Sequence, residues 1–279
     1  MAFTKLKILI PSDIVGNSLQ LIVNHCPALT HLDLRENNSG DTNLLEPSYE
    51  KLINLTFLNL SWNHMRELSP QISVLTKLTY LDLSDNLLNE PDSLKPLSSL
   101  TNLRSLDLRE NFIEKLPSQI SALVGLTNLN LGRNILMYVD PSLSNVTKLT
   151  NLQTLNLENS ATTAKIKSIN IQLSSDFSKF PSLTELYLSY YDFIGTSSLD
   201  TILKLSNLLT LSIVNSNINS FPPEFGNFIK LKRLDLRGTD SKDKPSANVF
   251  NKVFYKLIEL KEVNMDKSNL KEIYSRFCW

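Results

Sequence analysis

A nine-residue leucine pattern, L-x-x-L-x-L-x-x-N, recurs along this chain of 279 residues and constrains its fold more than any other feature. The pattern is complete at residues 29–37, 55–63, 78–86, 103–111 and 126–134. Looser copies begin at Leu152, Leu183, Leu208, Leu231 and Leu260. The ten first leucines are separated by 26, 23, 25, 23, 26, 31, 25, 23 and 29 residues. Self-similarity at such a period is typical of a solenoid, in which each copy is one structural unit stacked on the next.

Each copy predicts the same local structure. The central L-x-L indicates a short β-strand whose leucines point inward while the alternate residues point outward. The asparagine predicts a turn, and its amide can pair backbone groups of neighbouring turns that would otherwise be buried without partners. Beyond the turn, Leu116, Ile120 and Leu123 have the spacing of a short helical or 3-10 stretch that packs back against the strand. No single copy closes its own core, so stability must come from stacking.

These motifs resemble the leucine-rich-repeat family over roughly residues 29–273, and Leu116-Pro117 with Ile120 resembles its intracellular L-P-x-x-I type. The resemblance implies an α/β solenoid, a curved horseshoe of about ten repeats. Short parallel strands would line the concave face, with short helices, 3-10 turns and loops on the convex face. It also implies a protein that binds a macromolecular partner. The Asn-, Ser- and Lys-rich composition favours a bacterial effector of this type, delivered into a host cell.

We expect one continuous domain in three parts. Residues 1–28 form an N-terminal cap with an edge strand at 8–10 and a short helix near 19–23. Residues 29–259 hold the repeats, with insertions near 160–181 and 238–248. Residues 260–279 contain the last degenerate repeat and a C-terminal cap, in which Phe277 and Trp279 cover the last leucines. In the later copies the asparagine is replaced by Ser160, Tyr191, Ser216, Thr239 and Ser268.

Composition narrows the classes of partner and the location. Lys plus Arg and Asp plus Glu are 28 each, so the basic excess usual for nucleic-acid binding is missing and no nucleic acid is expected. No apolar run reaches the ~18 residues of a membrane helix. The apolar core of the first residues is too short for the hydrophobic region of a signal peptide, so no membrane association is expected. Cys26 and Cys278 lie at opposite ends and suit a reducing compartment. We therefore expect a cytoplasmic protein that is a monomer when alone.

Aromatic residues at outward positions are the candidate partner-binding residues. His31, Phe57 and Tyr80 occupy the third template position of successive copies, and Trp62 follows the strand of the second. A second cluster follows the insertion and contains Tyr187, Tyr190 and Tyr191. Large exposed aromatic residues are enriched at the energetically important points of interfaces. Two alternatives remain: Trp62 folds back over a neighbouring repeat, and Tyr191 fills the missing asparagine site.

Charged residues near these aromatics allow two interpretations. Arg109 and Arg133 lie near acidic residues such as Asp107, either as the polar rim of an interface or as a solvated, mutually paired face. Asp or Asn at the fifth template position is common in the family, so that column is not taken as a site. The insertions are either binding loops or tolerated surface excursions, which leaves open whether loops or strands carry the binding.

No constellation for chemistry is evident. The seven glycines form no phosphate-binding loop, and His25, His31 and His64 lack metal-ligand spacing with either cysteine. We therefore expect no cofactor, no metal and no enzymatic activity. The expected function is a non-catalytic protein-binding module or adaptor. The alternative is a regulatory subunit that docks on and controls an enzyme such as a phosphatase.

Overall fold

The computed structural model describes residues 5–11, 18–37, 48–136, 141–159, 169–170, 173–243 and 252–269. Their contacts divide the chain into two compact units, Met1–Met137 and Tyr138–Trp279. Both units are built from copies of the leucine pattern.

The described residues of the first unit form six parallel strands that pair in chain order. They are β1 (Ile8–Leu9), β2 (His31–Asp33), β3 (Phe57–Asn59), β4 (Tyr80–Asp82), β5 (Ser105–Asp107) and β6 (Asn128–Asn130). The pairing is strictly in register, so the third template position of one copy lies beside the third position of the next, as in Phe57 and Tyr80. The first strand falls within the segment predicted as an edge strand.

Short helices connect these strands. They are α1 (Ser18–Asn24) and the 3-10 helices η1 (Ser48–Lys51), η2 (Pro70–Val74), η3 (Pro91–Ser99) and η4 (Ser118–Ala122). Leu116, Ile120 and Leu123 around η4 are buried, which confirms the 3-10 stretch predicted from their spacing. Each buried leucine or isoleucine contributes roughly 1.5–3 kcal/mol to stability.

A ladder of buried asparagines joins the turns of the first unit. The Asn111 side chain donates from Nδ2 to the carbonyl oxygens of Leu83 in the preceding copy, at 2.9 Å, and of Leu108 in its own copy, at 3.1 Å. Its Oδ1 accepts the backbone N–H of Leu88 at 3.1 Å. Asn63, Asn86 and Asn134 make equivalent bonds. The predicted role of the template asparagine is therefore confirmed.

The second unit contains two parallel sheets. The strands of its main sheet are β7 (Thr154–Asn156), β9 (Glu185–Tyr187), β11 (Thr210–Ser212), β13 (Arg233–Asp235) and β15 (Glu262–Asn264). The smaller sheet is formed by β8 (Ile169–Asn170), β10 (Tyr191–Asp192), β12 (Asn217–Ile218) and β14 (Asp240–Ser241). Its helices are η5 (Pro141–Lys148), η6 (Ser175–Lys179), α2 (Ser198–Ile202) and η7 (Pro223–Asn227). The smaller sheet was not anticipated from the sequence.

Hydroxyl groups replace the asparagine amide in the second unit. The Tyr191 hydroxyl donates to the carbonyl oxygen of Leu157, and Thr239 Oγ1 donates to that of Ile213. These carbonyls hold the sixth template position of the preceding copy, the same position that Asn111 reaches in the first unit. Tyr191 is 0% exposed, so its assignment as a partner-binding residue is wrong and the alternative, that it fills the asparagine site, is correct.

Part of the first predicted insertion, near residues 160–181, follows the regular repeat pattern. Leu173, Phe177 and Phe180 are buried and repeat the spacing of the apolar residues around η4. They therefore belong to a regular repeat, and so do Ile169 and Asn170, which pair in register with Tyr191 and Asp192 of β10. Residues 160–168 and 171–172 lie outside the described residues, as do 244–248 of the second insertion.

Two further predictions concern the ends of the chain. Cys26 is a buried free cysteine, and burial raises the pKa of its thiol. Cys278, Phe277 and Trp279 lie outside the described residues. Among the residues that the structure describes, no helix has the length and apolar character needed to cross a membrane.

Candidate partner-binding surface

Three aromatic side chains form a stack across β2, β3 and β4, called here the aromatic stack: His31, Phe57 and Tyr80. The ring centroids of Phe57 and Tyr80 are 4.5 Å apart with an interplanar angle of 5°. Those of His31 and Phe57 are 5.7 Å apart at 20°. The register causes this arrangement, because paired residues on neighbouring strands lie about 4.8 Å apart, close to the distance between stacked rings.

The aromatic stack lies on the outward side of the strands. His31 is exposed, and Phe57 and Tyr80 are half-buried, while the alternating Leu58 and Leu81 are fully buried in the core. Since the rings have no part in the core, their remaining surface is available to a partner. The structure thus brings together three of the residues singled out in the sequence.

Two carboxylates lie beside the open end of the aromatic stack. The Tyr80 hydroxyl donates to Asp82 Oδ2 at 3.5 Å, and Asp107 occupies the paired position on β5. Burial, together with the negative charges of Asp82 and Asp107, raises the pKa of Tyr80 to about 12. Burial, with a contribution from Asp82, also raises the pKa of Asp107. This acidic pair was not predicted as a site; its signal in the sequence was the presence of three acids at the fifth template position among the first five copies.

Trp62 is exposed but does not join the aromatic stack. It is 54% exposed, so it does not fold back over a neighbouring repeat, and it makes no ring contact with another described aromatic residue. Its φ of 58° places it in the left-handed region. This conformation belongs to the eighth template position, where positive φ recurs at Glu36, Trp62, Asp85, Glu110, Arg133, Tyr190, Asn215, Gly238 and Lys267.

Arg109 and Arg133 of the first unit each form an ion pair with an acid. Arg133 Nη1 lies 2.8 Å from Glu110 Oε1, and Arg109 Nη2 lies 3.7 Å from Asp85 Oδ2. The Asp85 side chain is only 6% exposed, and its pKa is raised to about 6, first by burial and then by Glu110. These contacts favour the interpretation of Arg109 and Arg133 as a mutually paired face.

The second unit carries a groove along its main sheet with a volume of about 840 Å³. Tyr187 and Tyr190 line it, together with charged residues from β13 and β15. The Tyr187 hydroxyl donates to Glu185 Oε2 at 3.2 Å, and burial raises its pKa. Arg233 Nε lies 3.0 Å from Glu262 Oε2. The two tyrosines were predicted from the sequence, but this ion pair was not. Its signal was the presence of opposite charges at the third template position of adjacent copies.

Within the described ranges, no group of three or more His, Cys, Asp or Glu side chains is arranged to hold a metal ion. The candidate surfaces therefore offer stacking, hydrogen bonding and charge.

In-register strands of one repeated pattern, 3-10 helices behind them and a buried asparagine ladder together define a leucine-rich-repeat fold. The family model for the Leucine Rich Repeat matches residues 77–97 and 102–123. No curated protein sequence gives a significant match to this chain. The repeat fold predicted from the sequence is confirmed.

Solved structures support the same fold. An internalin (inlF) of Listeria monocytogenes is 19% identical, with a TM-score of 0.63 over 97% of this chain and 84% of the internalin. A leucine-rich-repeat protein of Leptospira interrogans is 22% identical, with a TM-score of 0.64 over 95% of this chain and 73% of that protein. Internalin C2 of Listeria monocytogenes is 24% identical, with a TM-score of 0.58 over 74% and 80%. At these identities the similarity concerns the fold alone.

Proposed function

We propose that this chain is a non-catalytic module that binds a protein partner on the outward side of the strands of its first unit. The observation that carries the proposal is the aromatic stack, three parallel rings on a sheet face where they have no role in the core. Large aromatic side chains dominate the binding energy of interfaces because they bury much area at a small cost in conformational entropy.

The stack is also ordered before binding. Phe57 is held between His31 and Tyr80, so its ring is already fixed in one orientation. A pre-organised surface loses less entropy on association, which favours affinity. The second-unit groove is a weaker candidate, because Arg233 and Arg237 already pair with Glu262 and Asp235 and would have to be desolvated.

Affinity capture tests this proposal. The wild-type chain, the double variant Phe57→Ala/Tyr80→Ala and the control Phe112→Ala are immobilised and exposed to lysate. Phe112 is 49% exposed and lies outside the strands, so its removal deletes a similar ring elsewhere on the first unit. We expect the double variant to lose the proteins that the wild type and the control retain. Equal capture by all three chains would show that the aromatic stack does not bind.

The more specific roles stay predictions: a bacterial effector acting on a host protein, cytoplasmic location, and control of an enzyme such as a phosphatase. Enzyme control predicts a co-purifying activity that disappears with Tyr80→Ala. An adaptor predicts captured partners without such an activity. Both roles use the same surface, so the identity of the captured protein distinguishes them.

A further inference from the structure

The aromatic stack ends at Tyr80, because the residue at the third template position of the next copy is not aromatic. Ser105 on β5 is the register partner of Tyr80, and Asn128 on β6 is the partner of Ser105. One face of the Tyr80 ring is covered by Phe57 at 4.5 Å. The other face of the Tyr80 ring is turned towards Ser105, whose side chain has only two heavy atoms. A planar group can therefore stack on Tyr80 above Ser105 at the ~4.8 Å spacing of the strands.

The surroundings of this place are negatively charged. Asp82 follows Tyr80 by two residues on β4, and Asp107 follows Ser105 by two on β5, so both project from the same side of the sheet. Asp82 Oδ1 accepts the backbone N–H of Ser84 at 2.9 Å, and its Oδ2 has only the 3.5 Å contact with Tyr80. No Lys or Arg of the described residues forms an ion pair with Asp82 or Asp107. Asp107 Oδ1 accepts the backbone N–H of Arg109 at 2.9 Å, and its Oδ2 accepts the Asn130 amide at 3.1 Å. Since a carboxylate oxygen can accept two hydrogen bonds, both carboxylates keep acceptor capacity for a cation.

We propose that this place, called here the Ser105 slot, binds an arginine side chain of the partner protein. The guanidinium stacks on the free face of Tyr80, and its N–H groups donate to the carboxylates of Asp82 and Asp107. This inference rests on the proposed function and adds the chemistry of the residue that is recognised.

Arginine fits the Ser105 slot better than the other side chains that could enter it. Its guanidinium is planar, stacks on aromatic rings and presents a rigid fork of donors that matches carboxylates. A lysine ammonium would meet the carboxylates but has no plane to stack. An aromatic ring would stack but would bury the two negative charges without pairing them, which costs free energy.

Peptide selection tests the inference directly. A phage library of random twelve-residue peptides is selected on the full chain, and the enriched peptides are synthesised with each arginine replaced in turn by citrulline, the uncharged isostere. We expect enrichment of arginine and at least a tenfold rise in Kd for one citrulline replacement. Citrulline keeps the planar shape, so this loss would report the charge.

Two matched variants locate the bound arginine. Ser105→Phe extends the stack into the slot and should raise the Kd at least tenfold while preserving an aromatic surface. Thr210→Phe makes a serine-like to aromatic change at the same template position in the second unit and should change the Kd less than threefold. Asp107→Asn should weaken binding without altering the ring positions. Far-UV circular dichroism confirms that each variant is folded.

The outcomes separate this inference from the proposed function. Peptides without arginine preference, peptides that bind Ser105→Phe as well as the wild type, or no enrichment at all would each overturn the Ser105 slot. None of these results would restore or remove capture of a protein by Phe57 and Tyr80, which the lysate experiment measures separately.

Discussion

The buried asparagine ladder gives the sharpest test of how the first unit is held together. Asn111 is 4% exposed, and its amide makes four hydrogen bonds to the backbone. Nδ2 donates to the carbonyl oxygens of Leu83, Leu108 and Arg109, and Oδ1 accepts the N–H of Leu88. Replacing Asn111 with alanine removes all four bonds and leaves the buried N–H of Leu88 unpaired, while the carbonyl oxygens of Leu83 and Leu108 keep the amides of Asn86 and Asn134 as donors.

The size of the effect follows from these bonds. A typical intramolecular hydrogen bond contributes about 1 kcal/mol net, and an unpaired buried group costs about 1–3 kcal/mol. The Arg109 carbonyl oxygen also accepts the backbone N–H of Asp85 at 3.0 Å, so it stays paired without the Asn111 amide. Counting about 1 kcal/mol for each lost bond to Leu83 and Leu108 and about 1 kcal/mol or more for the unpaired Leu88 N–H, we expect Asn111→Ala to lower the free energy of unfolding by about 3 kcal/mol. That is a large fraction of the stability of an ordinary domain.

Urea unfolding followed by circular dichroism measures this loss. The control is Asn102→Ala in the same copy, since Asn102 is exposed and donates one bond of 2.8 Å to the Thr76 carbonyl oxygen. The control should change the free energy of unfolding by about 0.5 kcal/mol or less. If Asn111→Ala were no more costly than Asn102→Ala, the amide would not stabilise the stacking of copies, and the physical account of the ladder would be wrong.

Three further predictions use the same measurement. Tyr191→Phe should lower the free energy of unfolding by about 1–2 kcal/mol because it leaves the Leu157 carbonyl oxygen unpaired, whereas Tyr187→Phe, at a half-buried hydroxyl, should stay within about 0.5 kcal/mol. Asp85→Asn should raise the free energy of unfolding by about 1 kcal/mol at pH 7. The folded-state pKa of Asp85 is about 6, above the usual 3.8, so the stability of the wild type falls as the pH rises through 6. Below pH 4 the wild type and the variant should therefore be equally stable. Arg133→Ala should change the free energy of unfolding by about 0.5 kcal/mol or less, because an exposed ion pair is weak; a loss above 1 kcal/mol would contradict this.

The repeated parts of the fold were accessible from the sequence because they depend on spacing alone. The L-x-L segments, the template asparagines and the apolar residues before Leu126 each recur at fixed offsets, and the structure places strands, ladder and 3-10 helices at them. A hydrophobic pattern repeated ten times leaves one efficient way to bury its leucines, which is to stack the copies.

The replacements in the second unit were less predictable because they depend on reach. The hydroxyl of a tyrosine lies several bonds farther from the backbone than the amide of an asparagine. Only the three-dimensional structure shows that Tyr191 and Asn111 both donate to the carbonyl oxygen at the sixth template position of the preceding copy. In the sequence the template asparagine is missing, but in the structure a different side chain makes the same hydrogen bond. The tyrosine cluster was therefore divided by the structure into two groove residues and one core residue.

The Ser105 slot shows how the sequence and structure complement each other. The third template position holds His31, Phe57 and Tyr80, and the fifth holds Asp82 and Asp107. Taken alone, the third position predicts an aromatic patch, and the fifth matches what is common in the family. Only the in-register pairing places the end of one column beside the carboxylates of the other. In a sheet of parallel repeats the information about binding lies in such neighbours across copies, because every copy taken alone presents nearly the same strand. A serine between a tyrosine and two aspartates is unremarkable along the chain, and becomes a candidate arginine site only across the sheet.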